Sequence, residues 1–99
     1  MQFNFEWDTT KAKMNLIKHK VSFERAAEIF LDPLAVSIYD NAQSVQEDRW
    51  ITMGKDRAGK VLLVIHTFLE RQKNLCLIRI ISARKATKNE TKQYEGESL

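Results

Sequence analysis

The chain has 99 residues, with 43% hydrophobic residues and a formal net charge of +3. That length builds one domain around a single core, residues 1–99, and excludes a two-domain enzyme. One cysteine excludes an internal disulfide, and the longest apolar run, Val61 to Ile65, is far too short for a membrane span.

Cys76 falls in an apolar strand pattern and reads as a small buried hydrophobe rather than a nucleophile. The N-terminus lacks a basic segment followed by an apolar run, so no signal peptide is expected. With the lone cysteine, this points to the reducing cytoplasm. The modest net charge hides an uneven distribution. Lys11 to Lys20 holds four lysines, His19 and no acid, whereas Glu24 to Asp48 holds six acids and one arginine. Arg79 to Lys92 holds five cations against Glu90 alone. If the fold brings the two basic segments together, they suit a phosphate backbone; apart, they are solvated faces.

In chain order, Phe3 to Trp7 predicts a short strand. Asp8 is suited to cap a helix from Thr9 to about Lys18, with Lys11, Asn15 and Lys18 on one polar face. Ser22 caps a second helix, whose residues Phe23, Ala26, Ala27 and Phe30 repeat at core-facing spacing; Asp32-Pro33 ends it. Strands are expected at Leu34 to Tyr39, Arg49 to Gly54, Lys60 to Phe68 and Leu75 to Ser82. The intervening stretches Asp40 to Asp48, Lys55 to Gly59 and Leu69 to Asn74 read as a loop and two turns. Alternation puts Arg49, Ile51 and Met53 on one face. Val61 to Ile65, apolar on both faces, reads as a central strand. Thr87-Lys88-Asn89-Glu90 is a capping box opening a last helix to about Tyr94. The expected class is α+β, with two N-terminal helices and a C-terminal helix against a small antiparallel sheet.

The stretch Arg79 to Thr87 carries the most information. A strand with a guanidinium among apolar neighbours needs an anion, either a fixed carboxylate such as Glu47 or a phosphate. Arg84 and Lys85 follow at the strand's end. Arg49 faces the same choice between phosphate and Glu47 or Asp48. His19 is the first candidate for proton transfer, because imidazole titrates near neutrality; bonding the last helical carbonyls is its alternative duty. His66 reads rather as a packed strand residue, Glu47 as a base or a surface acid, and Tyr94 as a helix-packing aromatic or an RNA contact. Trp7, Phe23, Phe30 and Trp50 mostly read as core. Two distant histidines, one cysteine and no clustered acids give no metal-site pattern.

Taken together, Phe5-Glu6-Trp7-Asp8 with Lys11 and Asn15, Lys18-His19, Val21-Ser22-Phe23-Glu24, Ala26-Ala27, Asp32-Pro33, Glu47 with Arg49, and Arg79-Ile80-Ile81-Ser82-Ala83-Arg84 with Ala86-Thr87, Glu90 and Tyr94 resemble the BrnT-type ribonuclease toxins of type II toxin–antitoxin systems. The resemblance covers nearly the whole chain. It implies a RelE-like fold and metal-independent RNA cleavage with no cofactor, inhibiting translation and growth. It also implies neutralisation by a BrnA-like ribbon-helix-helix antitoxin, with operator DNA bound only through the complex. His19, Arg49, Arg79 and Arg84 are the catalytic candidates; Lys11, Asn15, Lys18, Lys85 and Tyr94 are the RNA-binding ones. The family often has glycine where this chain has Lys20, so either Lys20 adopts a left-handed backbone at some cost or the connection differs. The competing reading is a non-enzymatic basic module that binds nucleic acid and a protein partner.

Overall fold

The computed structural model describes residues 2–43 and 47–96. Strand β1 (Gln2–Glu6) leads into helices α1 (Thr9–His19) and α2 (Phe23–Glu28), and a 3-10 turn (Ile29–Leu31) extends α2. Strands β2 (Val36–Tyr39), β3 (Trp50–Lys55), β4 (Val61–His66), β5 (Leu69–Gln72) and β6 (Leu75–Lys85) follow, then helix α3 (Lys88–Tyr94). The architecture is α+β.

The local signals act as their chemistry predicts. The Asp8 carboxylate accepts the Thr10 and Lys11 amides, and the Ser22 hydroxyl accepts that of Arg25. Thr87 and Glu90 close the capping box on α3. In the turn after β3, Asp56 accepts the Ala58 and Lys60 amides at 2.9 Å each while Arg25 neutralises it.

The sheet runs β1-β6-β4-β3-β2, with β5 also on β6. It is mixed rather than antiparallel throughout, because β1 lies parallel to β6, with Phe5 opposite Ile78 and Glu6 opposite Arg79. The excursion through the helices and the meander lets the first strand run alongside the last in the same direction. Leu69–Gln72 is a strand rather than the expected turn; all four residues are exposed, so no buried face marks it. The turn shrinks to Lys73-Asn74, where Asn74 has φ +66°. Strand β6 continues past Ser82 because Arg84 and Lys85 pair with Leu63 and Leu62. Strand β2 starts at Val36, later than expected. Of the stretch 40–48 read as a loop, Asn41–Gln43 form a short 3-10 turn and residues 44–46 lie outside the described residues.

Both N-terminal helices pack on one face of the sheet. Val21, Phe23, Ala26 and Ile29 meet Leu62, Val64, Ile78, Ile80 and Ala83 in the buried core, and Phe3, Phe5, Trp7 and Phe30 close its sides. Gly54 admits the 3-10 turn: a Cβ there would come within 3.1 Å of Ile29 and 3.2 Å of the Ala35 Cβ. Cys76 is buried, and burial raises its thiol pKa, as befits an inert core residue.

Lys20 ends α1 with φ 60° and ψ 27°, and its amide bonds the Leu16 carbonyl. The left-handed backbone is therefore kept without glycine. A non-glycine residue there carries roughly 1–2 kcal/mol of strain, partly offset because glycine loses more freedom on folding. Lys20→Gly is expected to stabilise the chain by about 0.5–1 kcal/mol. Urea unfolding tests this: the midpoint should rise at unchanged slope, and an unchanged or lower midpoint would show that Lys20 is unstrained.

Candidate functional site

The key junction is between α1 and β6. Strand β1 ends at Glu6 beside Arg79, so beyond that point this edge of β6 meets α1 instead of a strand. Asn15, 7% exposed, supplies what a strand would. Its amide group donates to the Ala83 carbonyl at 2.8 Å and the Val21 carbonyl at 2.9 Å, and its oxygen accepts the Ala83 amide at 3.1 Å. Every polar atom of the side chain is spent on backbone, so Asn15 docks the helix at the base of the face it shares with Lys11 and Lys18.

This docking sets the basic face of α1 beside β6, though no cation of β6 lines the groove between them. Lys11, Lys18 and His19 from α1 line an open groove of about 570 Å³ with Ile81 and Ser82 from β6. Ser82 pairs with Ile65 of β4, and β6 bulges there, so Ile81 is passed over before Ile80 meets His66. A second groove, of about 390 Å³, lies on the sheet face away from α1 and α2. Its floor is Val36, Ile38, Ile51, Met53, Leu63 and Ile65, and Arg84, Glu90 and Gln93 form one rim. Ile38 is 58% exposed, so this apolar face is open. Alternation revealed which residues share it but not that it stays uncovered; the two-sided apolar pattern of β4 was its only signal.

Arg49 and Arg79 stand at the other end of that face. One residue beyond the paired Trp50 and His66 come Arg49 and Thr67, and the Thr67 amide bonds the Arg79 carbonyl at 2.9 Å. Glu47 joins the two arginines: its carboxylate accepts from the Arg79 guanidinium and lies 3.7 Å from that of Arg49. The Arg79 and Glu47 side chains are 33% and 37% exposed. Such an accessible pair contributes on the order of 0–1 kcal/mol, so another anion can displace the carboxylate at little cost.

Arg84 is held more firmly. It makes a two-pronged contact with Glu90, at 2.8 and 3.0 Å, and Glu90 also accepts the Thr87 amide at 2.8 Å. The hydrogen bond from Arg84 is the main cause holding the Glu90 carboxyl down at about 2, and the same contact raises the Arg84 pKa. Tyr94 donates its hydroxyl to Asp32; burial, with Asp32 adding to it, pushes the phenol up to about 12. Burial would raise Asp32, but bonds from the Lys55 amide, Tyr94 and the Leu34 amide hold it below its usual range. Tyr94 therefore anchors α3. Lys85 is exposed at the end of β6, on the opposite alternation from Arg84. His66 is a buried strand residue whose pKa burial lowers. Among the described residues, no group of three or more His, Cys, Asp or Glu could hold a metal ion, and no helix is long and apolar enough to cross a membrane.

A family described as the ribonuclease toxin BrnT of type II toxin-antitoxin systems matches residues 7–90, a span that contains α1, Glu47, Arg49, Arg79 and Arg84. The chain belongs to the BrnT family. Among solved structures, it is similar to the Brucella abortus ribonuclease toxin BrnT, at 23% identity and TM-score 0.66, over 88% of this chain and 100% of that one. Comparison with curated proteins found no significant match. The fold is thus shared at low identity. Tyr94 lies outside the matched residues.

The Arg84–Glu90 pair has a defined acid signature. Its carboxyl falls from an ordinary 4.5 to about 2 on folding. The stabilisation is therefore complete above pH 4.5 and is lost as pH falls toward 2. Urea midpoints at pH 5 and pH 3 should fall less in Glu90→Gln than in the parent chain; equal losses would mean that the pair does not govern acid stability.

Proposed function

We propose that this chain is a metal-independent endoribonuclease that cleaves RNA, with inhibition of translation and growth as the consequence. The observation that supports this reading is the docking of the basic face of α1 at Ile81 and Ser82 of β6, the strand that also carries Arg79 and Arg84. RNA carries its own nucleophile, the 2′-hydroxyl. Its attack on phosphorus forms a 2′,3′-cyclic phosphate and expels the 5′-oxygen, which must take a proton.

Arg79 and Arg49 receive the scissile phosphate. A guanidinium fork matches phosphate oxygens and stays charged, so it stabilises the extra negative charge of the transition state. Glu47 occupies the two guanidinium groups until phosphate exchanges with it, and the released carboxylate is then placed to accept a proton. His19, half-buried beside Lys18 in the basic groove, is the second proton-transfer group. Lys11, Lys18 and Lys85 draw in the RNA backbone. Arg84 meets a neighbouring phosphate while Glu90 fixes its orientation. Asn15 and Tyr94 hold α1 and α3 in place.

The protein partner is a BrnA-like antitoxin with a ribbon-helix-helix domain, through which alone the complex contacts operator DNA. An acidic or apolar segment of that partner suits the open face between Arg49 and Arg84. The protein functions in the cytoplasm, where both RNA and antitoxin are found.

One assay tests this reading. In excess chelator, purified protein should cut single-stranded RNA to products ending in 2′,3′-cyclic phosphate. Arg79→Ala should lower the rate at least 100-fold with the fold intact, as expected when a transition-state contact worth roughly 3 kcal/mol is lost. Adding the purified antitoxin should stop cleavage. RNA that is retarded on a gel but left uncut would instead identify a non-enzymatic binding module.

A further inference from the structure

A smaller cavity, of about 200 Å³, lies at the far edge of the sheet among Ser37, Trp50, His66 and Phe68. It is separate from both grooves, and nothing in the cleavage chemistry uses it. Its walls are almost wholly apolar, and Trp50 and Phe68 supply flat aromatic faces. Trp50 is only half-buried, with Tyr39 packed edge-on at 5.3 Å, so it is not the core residue its sequence context suggests.

A directed chain of hydrogen bonds ends at this cavity. His66 Nδ1 lies 2.9 Å from the Thr67 carbonyl, which can only accept, so Nδ1 carries the ring proton. Burial favours the neutral ring, leaving Nε2 to accept from the Thr52 hydroxyl at 2.6 Å. With its proton spent, Thr52 Oγ1 accepts from the Ser37 hydroxyl at 2.7 Å. Ser37 Oγ is left with lone pairs and no proton to offer the cavity.

We propose that this cavity seats one amine-bearing nucleobase of the RNA strand, stacked on Trp50 and Phe68, with its exocyclic amine donating to Ser37. The proposal rests on the reading that this chain binds RNA and names the base class the site selects. The volume admits one flat ring system and falls below the size of ordinary drug-sized pockets. Base–aromatic stacking tolerates every base, so Ser37 provides the discrimination. Uracil is disfavoured because its one ring N–H lies between two carbonyl oxygens, which would face the lone pairs of Ser37. The cavity and the Arg49–Thr67–Arg79 row lie at the same end of the sheet but on opposite faces, since Trp50 follows Arg49 and His66 precedes Thr67, so an RNA strand reaching both must cross that end.

The test is titration of the full chain with AMP, CMP and UMP, followed at the Trp50 indole N–H resonance by NMR. AMP and CMP should shift it saturably and bind about fivefold more tightly than UMP, the worth of one neutral hydrogen bond. Ser37→Ala should erase that preference while leaving UMP unchanged, and Phe68→Ala should weaken all three. Both residues are exposed, so the fold should survive. No saturable shift with any nucleotide, the outcome if the cavity takes an apolar side chain of a protein partner, overturns the proposal; so does equal binding of UMP and AMP. Binding needs no bond cleavage. Nucleotide binding without RNA cutting would support this pocket and sink the catalytic reading alone, whereas cutting without selective binding would sink the pocket alone.

Discussion

The Asn15 side chain reaches a residue 68 positions away in sequence, meeting Ala83 through both its backbone amide and its carbonyl. A primary amide presents one donor and one acceptor in the geometry of a peptide unit, so it can stand in for one residue of a missing strand. It allows β6 to pass from β1 to a helix without leaving its backbone groups unpaired in the interior. It also fixes the position of α1 along β6. Lys18 and His19, one turn further along the helix, are thereby carried to the groove at Ile81 and Ser82. The location of the basic site follows from satisfying a strand edge.

Arg49, Arg79 and Arg84 differ in how tightly they are held, and that difference orders the roles proposed for them. Arg79 and Arg49 share one accessible carboxylate on a connecting segment, and the pairing is weak enough for phosphate to compete. Arg84 has a carboxylate to itself, and that carboxylate is built into the capping box of α3. Removing Glu90 would both loosen the guanidinium and uncap the helix. Sequence position suggests the reverse, because a strand end before a helix looks more accessible than mid-strand. Arg84, at 39% exposed, is only slightly more accessible than Arg79, at 33%. Partner geometry separates them better than exposure does.

Much of the fold was legible because short-range chemistry writes it plainly. Asp8, Ser22 and Thr87 mark helix starts to the residue, and the α2 periodicity names the core. The parallel pairing of β1 with β6 was not legible, since it depends on long-range register that no local pattern encodes. Strand β5 was hidden because an edge strand with both faces wet alternates nothing. Helical spacing grouped Asn15 with Lys11 and Lys18, and all three line one groove, but spacing could not show that its amide is spent on the edge of β6. Trp50 was read as core because aromatics at strand spacing usually are. The resemblance to the BrnT toxins supplied the family, and Glu47 was legible as a partner for Arg79 and Arg49, whereas the Arg84–Glu90 pair became visible only in the fold.

The proposed chemistry requires guanidinium groups that rest on carboxylates in the free protein to exchange them for RNA phosphate. The most direct measurement is NMR of the arginine side-chain N–H groups during addition of an uncleavable 2′-O-methyl oligoribonucleotide. Displacement of Glu47 should make the Arg79 and Arg49 guanidinium signals and the His19 imidazole signals move together and saturate at one RNA concentration. Guanidinium signals that stay at their carboxylate-bound positions, while RNA shifts only residues elsewhere on the surface, would contradict it.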